Sequence, residues 1–69
     1  MQKLRINGQD KPFPDGIPAV LSDLLGQLGI AEATVVAEID GQIVPRQQFC
    51  ETRLSDGQKV ELIRLVGGG

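Results

Sequence analysis

Only one stretch of this chain carries a helical apolar period. Val20, Leu21, Leu24, Leu25 and Leu28 recur at the spacing that lines one face of a helix, while Ser22, Asp23 and Gln27 fall on the other. Pro18 suits the first turn, where its missing N–H goes unused, and Gly29 stands where a C-terminal cap is expected. Gly26 in the helix interior costs about 1 kcal/mol relative to Ala; its use is expected to be close packing against a sheet. A single amphipathic helix has to bury its stripe against something else. Everything else patterned in the chain alternates, so that something is one face of a sheet.

The strands follow from period-two alternation and from glycine turns. Lys3-Leu4-Arg5-Ile6 is a half-buried strand, and Asn7-Gly8 tolerates the positive φ angles of a tight hairpin. The return arm, Lys11 to Phe13, is interrupted by Pro12 and followed by Pro14, so it belongs at a sheet edge, and Asp15-Gly16 closes it. Thr34 to Asp40 is a further strand with Val35, Ala37 and Ile39 on one face. Asp40-Gly41 turns it into Ile43-Val44, and Pro45 ends that arm. Arg46 to Thr52 reads as irregular or as one helical turn, and Ser55-Asp56-Gly57 turns into the last strand, which starts at Lys59. The helical crossover is long enough for the first and last strands to pair in parallel. The fold class is therefore α+β: a mixed sheet packed on one main helix in the ubiquitin-like β-grasp arrangement. Residues 1–66 form that domain and residues 67–69 a flexible glycine tail.

Composition narrows the function. With 69 residues the chain is one domain, burying about 60% of the surface its unfolded form exposes. The net charge of −2, the two phenylalanines and the lack of Trp and Tyr argue against nucleic acid, since neither phosphate pairing nor base stacking is provided for. No apolar run approaches the roughly 20 residues of a membrane span, and Met1-Gln2-Lys3-Leu4-Arg5 has no signal-peptide core. One cysteine makes no internal disulfide, in keeping with a reducing cytoplasm. The chain has no histidine, the commonest general base and metal ligand. No catalytic residue and no metal site is expected, and any chemistry is expected to come from a partner.

The chain stops on Gly67-Gly68-Gly69, directly after its most strand-like stretch. Without Cβ atoms such a tail can enter a narrow channel and present the α-carboxylate of Gly69 at its tip; the alternative is an ordinary frayed terminus. The second half of the chain sharpens this reading. Asp40-Gly41-Gln42-Ile43-Val44-Pro45-Arg46, then Asp56-Gly57-Gln58-Lys59-Val60-Glu61-Leu62, then the Gly-Gly end resemble the ThiS family of sulfur-carrier proteins of thiamin biosynthesis. Asn7-Gly8 and the leucine-rich helix fit as well, so the resemblance spans essentially the whole chain.

That resemblance implies a chemistry. An adenylating enzyme of the ThiF type joins the Gly69 carboxylate to AMP from MgATP. Sulfur from a donor enzyme displaces the AMP to leave a thiocarboxylate, and a thiazole synthase of the ThiG type receives the sulfur. It implies a monomeric cytoplasmic protein cosubstrate that binds no cofactor itself, with Gly67 and Gly68 as the segment that enters the partner's active site.

Three further points concern individual residues. If Val60 and Leu62 face the helix, alternation puts Glu61, Ile63 and Leu65 on the open face together with Val36, and apolar residues gathered there suggest a docking patch; a slipped register or a bulge would bury Ile63 instead. Arg46 is either a surface charge that positions its arm or a partner contact. Cys50 has neither a His partner nor a Cys-x-x-Cys context, so it is expected to serve as a small hydrophobe rather than as the sulfur site. A glycine end of this kind also suits a carrier like the small subunit of molybdopterin synthase, a ubiquitin-like modifier conjugated to lysine, or a binding module with an inert tail. Co-purifying partners and conjugates on denaturing gels separate these.

Overall fold

The structure is a computed structural model that describes residues 1–65. The expectations for Gly67, Gly68 and Gly69, and for a domain boundary at residue 66, lie outside the described residues. Five strands, β1 (Gln2–Ile6), β2 (Gln9–Phe13), β3 (Val35–Ile39), β4 (Gln42–Val44) and β5 (Lys59–Arg64), form one sheet with the order β2-β1-β5-β3-β4. Helix α1 (Leu21–Leu28) supplies the crossover, and β1 and β5 pair in parallel at Arg5↔Lys59 and Ile6↔Val60. The ubiquitin-like β-grasp arrangement is therefore the fold.

Both hairpins close as their sequences require. Asn7 and Gly8 have φ of 51° and 82°, and Asp40 and Gly41 have φ of 51° and 87°, the positive pair that matches a two-residue turn to strand twist. This fixes Ile6 opposite Gln9 and Ile39 opposite Gln42. Pro12 sits in β2 at the sheet edge, where a missing ladder donor costs least. At the end of α1, Gly29 is left-handed at φ 71°. Its N–H donates to the Gly26 carbonyl, and the Ile30 N–H donates to that of Leu25. These two bonds take up carbonyls that the helix end leaves open.

The helix start departs from expectation. Pro18 is buried ahead of the helix rather than in its first turn. Val20 is extended and bridges Arg53, and the Leu54 N–H donates to the Ala19 carbonyl at 3.0 Å, so residues 19 and 20 are held as strand and the helix cannot begin earlier. Its first N–H groups are capped from a distance: Leu21 donates to the Thr52 carbonyl at 2.9 Å and Ser22 to that of Phe49 at 3.1 Å. These bonds serve the orphan donors that a side-chain cap otherwise would. Ser22 is consequently half-buried rather than solvent-facing, its Oγ enclosed with no partner among the described residues.

The core lies between α1 and one face of the sheet. Leu21, Leu24 and Leu25 meet Leu4, Val35, Ala37, Ile39, Val60 and Leu62, with Phe13 and Leu54 closing the sides. Phe49, just after the 3₁₀ turn at Arg46–Gln48, is 1% exposed and fills the remaining end. Burying a side chain of that kind contributes about 1.5–3 kcal/mol. Its neighbour Cys50 is exposed, so the expectation that Cys50 packs as a small hydrophobe fails; the buried position in this turn belongs to Phe49. Gly26 is also exposed, and a Cβ added there would meet nothing within 4 Å. Close packing does not explain that glycine.

Candidate functional site

Strand β5 passes through the middle of the sheet and leads to the glycine end. Val60 and Leu62 are buried under the helix, whereas Ile63 is 50% and Leu65 54% exposed. Neither a slip nor a bulge interrupts the pairing with β3, which runs Ile39↔Val60, Glu38↔Glu61, Ala37↔Leu62, Val36↔Ile63 and Val35↔Arg64. Val36 therefore stands directly across from Ile63 on the open face, where it is half-buried. The Leu65 N–H continues the ladder one step further, donating to the Thr34 carbonyl at 2.8 Å.

The structure adds Ile43 to this group, a residue that sequence reasoning missed. It lies across from Glu38 in β4, on the same open face, and is 68% exposed. The signal was available: a two-residue turn at Asp40-Gly41 pairs Ile39 with Gln42, so Ile43 must share the face of Glu38 and not of Ile39. Arg46 is carried by a different element, the 3₁₀ turn beyond Pro45. It is exposed and makes no ion pair among the described residues.

The open face is divided across its width. Val36, Ile43, Ile63 and Leu65 occupy the β3–β4–β5 side. On the β1–β2 side Asp10 faces Lys3 and Arg5, with nitrogen–oxygen distances of 3.6 and 3.4 Å. All three side chains are about half exposed, so these pairs add little to stability and serve to keep that half polar. Within the β3–β4–β5 side, Glu38 and Glu61 oppose one another across β3 and β5, and Glu38 lies across from Ile43. Together with Asp40, Gly41 and Lys59 the two glutamates line an open hollow of about 430 Å³. Among the described residues no group of three or more His, Cys, Asp or Glu is placed to hold a metal ion. No described helix is long and apolar enough to cross a membrane.

One polar contact on the other flank of β5 anchors the strand as it leaves the sheet. The Leu62 N–H donates to Asn7 Oδ1 at 2.7 Å, and Asn7 Nδ2 donates back to the Leu62 carbonyl at 3.2 Å. The backbone N–H of Asn7 itself donates to the Val60 carbonyl at 2.9 Å. Strand β1 turns away at this point, and the amide takes the place of its next residue.

A β-grasp domain whose central strand carries outward apolar side chains toward a glycine end defines the class: a ubiquitin-like carrier or modifier. The comparisons with known proteins narrow it. Residues 4–69 match the model of the ThiS family, and the chain belongs to that family. The crystal structure of a thiamine biosynthesis protein (ThiS) from Geobacter metallireducens superposes with a TM-score of 0.82 at 31% identity, covering 97% of this chain and 99% of that one. The sulfur carrier protein ThiS of Bacillus subtilis is 27% identical over 66 residues, which are 96% of this chain and 98% of that protein. A thiazole synthase of Paramagnetospirillum magneticum is 34% identical over 67 residues, 97% of this chain, and the chain spans only 20% of its length.

Proposed function

We propose that this chain is the sulfur carrier for building the thiazole ring of thiamin, with the Gly69 carboxylate as the group that is activated and loaded. The observation that carries the reading is the match to the ThiS family over residues 4–69, in a sequence that places Gly67-Gly68-Gly69 shortly after β5. A carboxylate is a poor acyl donor because its leaving group would be oxide. Attack of the Gly69 carboxylate on the α-phosphate of ATP releases pyrophosphate and gives an acyl adenylate, which a sulfur nucleophile opens by displacing AMP. The product is a C-terminal thiocarboxylate, and a thiazole synthase takes its sulfur and returns the carboxylate.

This chain lacks the Gly-x₄-Gly-Lys loop that cradles phosphates. In this reading MgATP is held by a ThiF-like adenylating enzyme, and the carrier acts as a cytoplasmic cosubstrate. The four residues 66–69 reach at most about 13–14 Å when extended, enough for a recessed site. Gly67 and Gly68 leave the approach to the acyl carbon uncrowded. Docking falls to Val36, Ile63 and Leu65, extended by Ile43, with Arg46 as a separate contact at the rim. The Paramagnetospirillum relative supports a thiazole synthase as one partner, because a protein of that name contains a region similar to nearly all of this chain.

Intact-mass analysis tests the reading. With MgATP, the adenylating enzyme from the same cells and sulfide, the protein is expected to gain the mass of exchanging one oxygen for sulfur, and fragmentation is expected to place that change on Gly69. A change located on Cys50, or none, refutes it.

A further inference from the structure

We infer that Asn7-Gly8 is a latent deamidation site, a succinimide-forming turn that the fold holds shut by clamping the Asn7 amide onto β5. The inference is independent of the carrier reading, because it uses only residues of the folded body.

The turn supplies what the reaction needs. The Gly8 nitrogen attacks Cγ of Asn7, forming a new N–C bond, and the bond from Cγ to Nδ2 breaks. Nδ2 leaves as ammonia, taking up through water the proton that the Gly8 nitrogen gives up. Water then opens the succinimide ring at either carbonyl, leaving aspartate or isoaspartate at position 7. No oxidant, reductant or further co-reactant is required. Glycine has no Cβ to crowd the attacking nitrogen. A Cβ built at Gly8 would meet nothing within 4 Å, so the turn is open to water. Among the described residues the Gly8 N–H donates to no acceptor. The nucleophile is therefore free.

The electrophile is not. On the β1 flank of β5, backbone pairing ends where the Asn7 N–H bonds the Val60 carbonyl. The next N–H and carbonyl on that flank belong to Leu62, and the Asn7 amide takes both, at 2.7 and 3.2 Å. A carboxamide can do so because it carries a donor and an acceptor in one plane. Ring closure draws Cγ toward the Gly8 nitrogen and makes it tetrahedral, so that planar pair of bonds has to break first. Nδ2 also has to give up the Leu62 carbonyl to leave. Bonds of this kind each favour the closed state by about twofold to tenfold, so two of them leave the amide free about a fifth of the time or less. Neither hydrolysis product can donate to the Leu62 carbonyl once its carboxylate is ionised, so the original clamp is not rebuilt.

The test compares the full-length protein, at a temperature where circular dichroism shows it folded, with a synthetic peptide of residues 4–11 in the same mildly alkaline buffer. Asn7 is the only asparagine in the chain, so the mass of exchanging NH for O reports on it, and peptide mapping locates the change and distinguishes isoaspartate. The folded protein is expected to deamidate at least about fivefold more slowly than the peptide. Hydrogen exchange at the Leu62 amide, which needs the same contact to open, is expected to be slowed at least about fivefold relative to the unfolded chain. Deamidation of the folded protein less than fivefold slower than the peptide overturns the inference. So does slow deamidation beside a Leu62 amide without that protection, which would place the restraint in the turn backbone rather than in the clamp.

Discussion

The two faces of this sheet are made by the same strands, residue against residue in alternation, and they are built on different principles. Toward the helix, Leu4, Val35, Ala37, Ile39, Val60 and Leu62 are all apolar and buried. Toward solvent, the polar pairs of Asp10 with Lys3 and Arg5 occupy one side, and Val36, Ile43, Ile63 and Leu65 the other. The helix-facing residues stabilise the fold, because each is removed from water on folding. The exposed apolar residues gain little of that free energy in the isolated molecule, which is the ground for proposing them as a docking face. In a domain of 69 residues with a small core, the helix-facing side of the sheet carries the stability, and the docking residues proposed above lie on the other face.

The strongest attempt to break this division is Phe49→Ala. Phe49 is the largest fully buried side chain, and it comes from a turn rather than from the sheet or helix. Its truncation is expected to cost about 3–5 kcal/mol, measured as a loss of denaturation free energy in urea. A cost below 1 kcal/mol would show that the end of the core it fills is dispensable.

Ile63→Asp tests the other face. The variant is expected to fold with a midpoint close to wild type while its binding to the adenylating enzyme or thiazole synthase weakens by about 2 kcal/mol or more, the effect of losing an interface anchor. Titration calorimetry against each partner, with circular dichroism as the folding control, gives the answer. Unfolding would assign Ile63 to the core, and unchanged binding to both partners would move recognition toward Arg46.

The smallest effect sharpens the picture of the helix. Gly26 is exposed, and a Cβ there meets nothing within 4 Å, so Gly26→Ala is expected to stabilise the domain by about 0.5–1 kcal/mol through reduced backbone entropy loss. Thermal denaturation reads this directly. A destabilised variant would mean that the outer face of the helix is not free, and the contrast between a working sheet face and an idle helix face would fail.

What the sequence determined by itself was local or followed from strict alternation. Asn7-Gly8 and Asp40-Gly41 favour two-residue turns because Asn and Asp tolerate, and Gly readily supplies, the positive φ these turns need. The leucine spacing dictated the helix, Gly29 its end, and Pro12 the edge position of its strand. With the register intact, Val36, Ile63 and Leu65 had to face outward. The family was legible too, since its motifs are contiguous runs.

Only the tertiary structure decided the rest. Pro18 precedes the helix because residues 19 and 20 bridge residues 53 and 54. The helix start is capped by carbonyls of Phe49 and Thr52, and Phe49 rather than Cys50 turns inward from a segment with no period to read. Asn7 reads as a turn residue in sequence, and nothing near it announces that its amide completes the edge of β5 at Leu62. The physical reason is common to all of these. Turn dihedrals and face periodicity are set by a few adjacent residues, whereas the partner of an orphan N–H or carbonyl is set by whichever distant segment the folded chain brings alongside it.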